Sequence, residues 1–189
     1  RSTSSSASGD MSIARDVLPK SFLQLKGIVV GNFNMGCNFR IDDSISIMIQ
    51  YKLDILAIQE HTPWNRDLFE GEVKSIERHC DAWGYFVKIS KLQILIIDKK
   101  LVACHRDTII FDDGRIIKSR FEISENQFAT FIPVYGVPHS GGEKLKPSDI
   151  ADTENSTLHK MINVKNCLSG ILQEADKNKD IIFVFGDLQ

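Results

Sequence analysis

The chain has 189 residues, which allows one domain of ordinary size and leaves little room for two. Hydrophobic residues make up 42% and charged residues 25%, a balance that excludes a disordered or collagen-like chain. The formal net charge of −2 argues against a strongly basic nucleic-acid coat, although a local basic patch is compatible with it.

The first 26 residues predict a disordered tail and a short lead-in, so we place the folded domain at residues 27–189. Residues 1–10 are rich in serine and carry no large apolar side chain, and such segments do not form a core. No signal peptide is visible, and no apolar run reaches the ~18 residues that span a bilayer. We expect a soluble, intracellular protein with no membrane partner, and the nucleus is among the candidate compartments. The sequence does not predict an oligomeric state.

Helices and strands alternate in the first part of this domain. Short apolar runs at 27–33 and 54–58 predict two strands, each followed by polar residues. Asp42 or Asp43 is a candidate cap for a helix that extends to about residue 52, and residues 66–82 predict another helix.

From residue 85 the pattern changes to a series of strands. The segments rich in Ile, Val and Phe are 85–89, 92–97, 101–111, 115–123 and 128–135. Asp112-Asp113-Gly114 is typical of a hairpin turn, because glycine readily adopts a positive φ. A long loop is predicted at 136–152, then a helix to about residue 175 and a last strand at 181–185. This order predicts an α/β protein with two packed sheets and helices outside them.

Polar side chains follow three of the predicted strands at their carboxyl ends. They are Asn34, Glu60 and Asp187. Ligands of open α/β sheets bind at the carboxyl ends of strands, and oxygen ligands suit a hard cation such as Mg²⁺. Each residue could also simply mark the end of a strand, but together they predict a convergent site.

Four segments in this order resemble the endonuclease/exonuclease/phosphatase superfamily. They are Asn34-Met35-x-Cys37, Asp54-Ile55-Leu56-Ala57-Ile58-Gln59-Glu60, Val134-Tyr135-Gly136-x-Pro138 and Phe185-Gly186-Asp187. Ile58-Gln59-Glu60 followed by Pro63-Trp64 is most similar to the apurinic-endonuclease-like domains of non-LTR retrotransposons. The resemblance implies a four-layer α/β/β/α sandwich.

The resemblance also implies roles for individual residues. Glu60 corresponds to the family's metal-binding glutamate, with Mg²⁺ as the cofactor and Mn²⁺ as an alternative. Asn34 corresponds to the amide that orients the metal-site carboxylate and the phosphate, and Tyr135 to a phosphate-contacting tyrosine. Asp187 corresponds to the aspartate that activates the attacking water. The implied reaction is metal-dependent hydrolysis of a phosphodiester.

Two departures from the family pattern stand near the proposed site. Gln189 occupies the position of a catalytic asparagine, with the same amide on a longer stem, and His139 stands where relatives often carry asparagine. The family's downstream Asp-His pair and closing strands are not in these 189 residues. We therefore expect the N-terminal two-thirds of a domain, incomplete at the C-terminus, and negligible hydrolysis by this chain alone.

A basic segment offers candidate contacts to DNA. Residues 88–120 contain eight Lys and Arg against four Asp, so a phosphate backbone could follow them; alternatively, lysines protect exposed strand edges. We predict Arg115, Lys118 and His139 as substrate-binding residues, although His139 could equally be a solvated loop residue. The function best supported is a DNA-nicking endonuclease of a retroelement. A phosphatase or phospholipase of the same superfamily and a catalytically inactive protein remain alternatives.

Overall fold

The computed structural model describes residues 27–36, 39–61, 70–111, 114–137 and 147–187, so the predicted tail at 1–26 lies outside the described residues. The strands are β1 (Val30–Asn34), β2 (Ile55–Gln59), β3 (Tyr85–Ile89), β4 (Gln93–Asp98), β5 (His105–Phe111), β6 (Ile116–Ser124), β7 (Gln127–Tyr135) and β8 (Ile181–Asp187). The α-helices are α1 (Ile41–Gln50), α2 (Glu70–Ala82) and α3 (Pro147–Lys177).

The strands form two four-stranded sheets. The first sheet has the order β1-β2-β4-β3 and the second has the order β5-β6-β7-β8. Each sheet contains one parallel pair, β1 with β2 and β7 with β8, and its remaining pairs are antiparallel. The parallel pairs matter for the site, because parallel strands bring their carboxyl ends to the same edge of a sheet.

The two sheets pack face to face, with helices on the outer face of each. In β2, Leu56 and Ile58 join a core cluster with residues of α1 and α2, whereas Ile55 and Ala57 join the cluster between the sheets. This alternation follows from the two-residue period of a strand. A third cluster packs α3 on the second sheet through Ile171. The predicted four-layer α/β/β/α sandwich is confirmed.

Helix α1 begins differently from the sequence prediction. Its N-cap is Arg40, which makes no side-chain cap hydrogen bond, and Asp42 and Asp43 lie in the first turn. Their carboxylates therefore interact with the positive end of the helix dipole rather than cap it. The helix packs on the first sheet through Ile45 and Met48, which are buried.

Two further boundaries differ from the predictions. Helix α3 already begins at Pro147, inside the predicted loop 136–152, and proline is well suited to the first turn of a helix. Strand β5 begins at His105 and not at the predicted residue 101, because residues 99–101 form a 3₁₀ turn in which the Asp98 side chain accepts a hydrogen bond from the Lys100 amide. Asp112 and Asp113 lie outside the described residues, but β5 and β6 do pair antiparallel.

Among the described helices, none is both long and apolar enough to cross a bilayer.

Candidate active site

The carboxyl ends of four strands meet at one edge of the sandwich. Asn34 is paired with Gln59 at the ends of β1 and β2, and Tyr135 is paired with Asp187 at the ends of β7 and β8. Two hydrogen bonds between predicted site residues connect the sheets at this edge. Asn34 Nδ2 donates to Asp187 Oδ2 at 2.9 Å, and the Tyr135 hydroxyl donates to Glu60 Oε1 at 2.9 Å.

Glu60 leaves strand β2 in an unusual backbone conformation. Its φ is 52°, in the left-handed region that few residues other than glycine adopt. Such a conformation costs about 1–3 kcal/mol and persists when the surrounding structure imposes it. The Glu60 amide donates to the Leu92 carbonyl at 3.3 Å, and its half-buried side chain accepts from Tyr135. The backbone turn thus holds the carboxylate at the edge where the sheets meet.

Tyr135 is buried and remains a neutral hydrogen-bond donor. Burial raises the pKa of its phenol, the hydrogen bond to Glu60 raises it further, and nearby Arg115 opposes the shift. The Asp187 carboxylate also raises this pKa, which places both acidic groups in the electrostatic environment of one hydroxyl. The phenol therefore keeps its proton near neutral pH, and in this structure it donates that proton to Glu60 Oε1.

Asn34 and Asp187 form the second pair of the site. Asn34 Oδ1 accepts from the Gly36 amide at 2.9 Å, which fixes the amide so that its nitrogen faces Asp187. An amide donor favours the ionised form of a carboxylate. Asp187 in turn accepts from the Gly136 amide through its backbone carbonyl at 2.6 Å, which ties the end of β8 to the end of β7.

Oxygen donors dominate this edge, and they fit a hard divalent cation. Among the described residues, no group of three or more His, Cys, Asp or Glu side chains could hold a metal ion by itself. Mg²⁺ does not need such a group, because it is usually held by one or two carboxylates together with waters and substrate phosphates. The carboxylates of Glu60 and Asp187 are consistent with that mode of binding.

The remaining predicted site residues divide into three groups. Arg115 lies at the site, because its Nη1 donates to the Gly136 carbonyl at 2.8 Å and its guanidinium carbon is 5.4 Å from the centre of the Tyr135 ring. Lys118 does not, because it lies on the α3 side of the second sheet and pairs with Glu174 at 2.8 Å, with its side chain only 4% exposed. The position of Lys118 therefore does not support substrate binding. Gln189 and His139 lie outside the described residues.

Ion pairs account for most of the basic segment at 88–120. Besides Lys118, the pairs are Lys99 with Asp81, Lys100 with Asp54, Arg106 with Glu122 and Arg120 with Asp180. The positive charge is therefore largely neutralised within the fold. Of the two interpretations of this segment, a continuous surface for a phosphate backbone is the less well supported.

Sequence reasoning missed a group of polar side chains beneath the site. Gln59 and Gln93 are fully buried, and the ring Nε2 of buried His61 contacts the Ser90 carbonyl at 2.9 Å. Burial lowers the pKa of His61, so its ring is neutral. The available signal was a glutamine at an inward position of each of two apolar strands, because a polar residue there needs a partner.

Comparisons with known proteins agree with the fold. No family model matches the chain, and no curated protein matches it. Among solved structures it is similar to D. rerio TDP2 complexed with single strand DNA product (10% identity, TM-score 0.50, 85% of this chain and 60% of that one). It is also similar to a humanized D. rerio TDP2 (12% identity, TM-score 0.51, 85% and 65%). An AP endonuclease from Archaeoglobus fulgidus gives 19% identity and a TM-score of 0.44, over 72% and 51% of the two chains.

The chain has the endonuclease/exonuclease/phosphatase fold, as the sequence motifs predicted. It spans less than two thirds of the length of each of these solved chains. At these identities the similarity establishes the fold alone.

Proposed function

We propose that this chain contributes the catalytic site of a metal-dependent phosphodiesterase that nicks DNA. The observation that carries the proposal is the meeting of two carboxylates from different sheets at one edge, each hydrogen-bonded to a second predicted site residue. The fold supports the same reaction class, since a solved neighbour of this fold is described as complexed with a single-strand DNA product.

Glu60 is the residue that would hold the metal ion. A bound Mg²⁺ or Mn²⁺ would supply positive charge against the charge that develops on the phosphate oxygens. Tyr135 orients the Glu60 carboxylate by donating to Oε1. The strained backbone at Glu60 fits this role, because such strain is concentrated at functional sites.

Asp187 is the base in this proposal. Asn34 donates to Oδ2 of its carboxylate and orients the group. The carboxylate takes a proton from the attacking water as the water oxygen bonds to phosphorus. The phosphorus–oxygen bond to the leaving group then breaks, and the leaving oxygen takes a proton from solvent water. Asp187 returns its proton to solvent, so the enzyme ends the cycle in its starting protonation state.

Tyr135 and Arg115 form the phosphate-binding side of the site. The phenol has one proton, which Glu60 accepts in this structure, so Tyr135 would contact the phosphate by exchanging that hydrogen bond for one to a phosphate oxygen. The Arg115 guanidinium near its ring contributes positive charge. A phosphodiester transition state is stabilised chiefly by such positioning and charge, with little covalent participation by the protein.

The retroelement assignment rests on the sequence motif. Ile58-Gln59-Glu60 followed closely by Pro63-Trp64 is the pattern most similar to the retrotransposon endonucleases. His139 and Gln189 complete the proposed set, as a substrate contact and as the amide that follows Gly186-Asp187-Leu188.

The proposal is tested by a nicking assay on supercoiled plasmid. The 189-residue chain and a version extended through the parent reading frame are each incubated with Mg²⁺, with Mn²⁺ or with a chelator. We expect conversion to the open circle only by the extended version and only with metal, with negligible conversion by the 189-residue chain. In the extended version, Glu60→Gln and Asp187→Asn should each lose at least about 100-fold, the range typical of removing one stabilising group from a catalytic site. Glu125→Gln, an exposed carboxylate in the β6–β7 turn, is the matched control and should cleave normally.

Two outcomes would contradict the assignment. Metal-dependent release of phosphate from an inositol phosphate, or of phosphocholine from sphingomyelin, with DNA left intact would identify one of the alternative substrate classes. Absence of cleavage from both forms on all substrates, with metal binding retained, would identify a catalytically inactive protein.

A further inference from the structure

The turn at residues 90–93, which connects β3 to β4, contacts both halves of the candidate site. Glu60 belongs to the first sheet and Tyr135 to the second, and they are separated by 75 residues in sequence. Their relative position therefore depends on what holds the two sheets together directly beneath them. The inference below rests on the proposed function, because it concerns the geometry of that same site.

On the first sheet, the turn fixes the backbone around Glu60. The Glu60 amide donates to the Leu92 carbonyl at 3.3 Å. The side chain of the preceding residue, Gln59, donates through Nε2 to Gln93 Oε1 at 3.3 Å. The ring of the following residue, His61, contacts the Ser90 carbonyl at 2.9 Å. Three successive residues, from the last residue of β2 to His61, thus form hydrogen bonds with one turn.

On the second sheet, the same turn fixes the backbone that carries Tyr135. Gln93 Nε2 donates to the carbonyls of Gly114 and Arg115, at 3.0 and 2.6 Å. The Arg115 carbonyl also accepts from the Tyr135 amide at 2.7 Å. A single acceptor atom is therefore shared between the Gln93 side chain and the backbone of the proposed phosphate-contacting tyrosine.

Ser90 holds the Gln93 residue itself in place. Its hydroxyl accepts from the Gln93 amide at 3.0 Å and lies 2.9 Å from the Gln93 carbonyl and 3.3 Å from the Gly114 carbonyl. Gln93 is fully buried. Buried polar groups that lose a partner retain their desolvation cost, so this arrangement has few alternatives of similar energy.

We propose that Gln93 is a positioning residue that sets the distance between Glu60 and Tyr135 by bridging the two sheets through its carboxamide. It touches neither substrate nor metal. Its oxygen accepts from the residue before Glu60, and its nitrogen donates to the carbonyl that binds the Tyr135 amide. Displacements of about 1 Å in such sites reduce rates ~100-fold, so a fixed bridge has a direct functional consequence.

A purely structural role would make Gln93 one of many residues that stabilise the sandwich. The two roles predict different effects of a substitution: a positioning role predicts a change confined to the site, and a purely structural role predicts a loss of protection across both sheets. Gln93→Met keeps the length and removes the amide. Thr130→Val is the matched control. It removes a buried hydrogen bond to Asp180 in the second sheet, the sheet that carries Tyr135, but on the face that packs against α3.

The test measures backbone hydrogen exchange in the full 189-residue chain and, separately, its binding of Mn²⁺. In Gln93→Met we expect exchange to rise at the amides of Glu60, Tyr135 and Gly136 while the α3 core keeps its protection. Mn²⁺ affinity should fall about 10-fold or more, the effect expected when a residue that supports a metal ligand is removed. Thr130→Val should leave both measurements at the site within two-fold of the unmodified chain.

Uniform loss of protection across both sheets in Gln93→Met, or unchanged exchange at the site amides, would overturn the proposal. If Gln93→Met does not fold, Ser90→Ala, which deletes one hydroxyl of the turn, is measured by the same criteria. Failure of the proposed function gives a different result, because Glu60→Gln would then bind Mn²⁺ as tightly as the unmodified chain. The exchange pattern would still decide the role of Gln93 in that case.

Discussion

Gly186 permits strand β8 to deliver Asp187 to the edge where the two sheets meet. Its φ is 143°, a backbone conformation that residues other than glycine rarely adopt. A Cβ atom at this position would lie 1.9 Å from the Val134 carbonyl oxygen of the neighbouring strand. Position 186 of the Gly186-Asp187 motif therefore requires glycine for steric reasons, independent of any catalytic role of the aspartate.

We predict that Gly186→Ala destabilises the protein by about 2 kcal/mol or more, because backbone strain and overpacking each cost ~1–3 kcal/mol. The measurement is urea unfolding followed by circular dichroism. The control is Gly170→Ala in α3, where an added Cβ meets no atom within 4 Å. That substitution should stabilise the helix by ~0.5–1 kcal/mol. Equal stabilities of the two variants would show that the strand pairing adapts to the side chain.

At the scale of elements, Asp180 connects the start of β8 to its neighbour β7 and to β6 on the far side of β7. Arg120 of β6 donates to both carboxylate oxygens at 2.7 and 2.8 Å, and Thr130 of β7 donates at 2.6 Å. The hydrogen bonds from Arg120 hold the pKa of Asp180 below its ordinary value, against the opposing effect of burial, and Thr130 lowers it further. This connection lies at the opposite end of β8 from Asp187.

The lowered pKa of Asp180 predicts a dependence of stability on pH. Because the folded-state pKa is depressed, the carboxylate stabilises the fold above the unfolded-state value of about 4, and this contribution is lost as the pH falls through the folded-state pKa. At pH 7 we expect Asp180→Asn to lower the free energy of unfolding by about 3 kcal/mol, as for loss of one partner of a buried pair.

The difference between Asp180→Asn and the unmodified chain should narrow as the pH is lowered below about 4, which denaturant titrations at a series of pH values would measure. Asp176→Asn, an exposed aspartate at the end of α3, should change stability by less than ~0.5 kcal/mol at every pH. If the difference in unfolding free energy between Asp180→Asn and the unmodified chain stays constant down to acid pH, the stabilisation does not come from the ionised carboxylate.

At the scale of the whole molecule, local patterns in the sequence predicted the layers and the positions of the strand ends. The continuous apolar run at 54–58 reports a strand that is buried on both faces, which is a local property of the sequence. The polar residues at the ends of β1 and β8 and directly after β2 are likewise visible without the fold, so Asn34, Glu60 and Asp187 could be named in advance. Their assigned roles came from a resemblance to known motifs.

Contacts between distant segments could not be predicted in the same way. Lys118 looked available to a phosphate because its partner Glu174 is 56 residues away on α3. Gln93 gave no sign that its amide reaches the Arg115 carbonyl on the other sheet. In both cases the pairing depends on how the two sheets and α3 stack, and one-dimensional periodicity contains no information on that arrangement.

The contact between Glu60 and Tyr135 provides a measure of how strongly the two sheets are coupled at the site. A hydrogen bond to a charged group contributes about 1.5–3 kcal/mol. We make a double-mutant cycle of Glu60→Ala and Tyr135→Phe. The loss of unfolding free energy in the double variant should be smaller than the sum of the losses in the two single variants by at least ~1.5 kcal/mol. Urea unfolding of the four proteins supplies the values.

A second cycle of Glu60→Ala with Tyr85→Phe provides the comparison, because Tyr85 lies on β3 and shares no hydrogen bond with Glu60 among the described residues. Its effects should add within ~0.5 kcal/mol, as for independent sites. If the cycle with Tyr135 is equally additive, the hydrogen bond contributes nothing to the packing of the sheets. The site would then be held together from beneath, by the 90–93 turn and Gln93, rather than by the hydrogen bond between Glu60 and Tyr135.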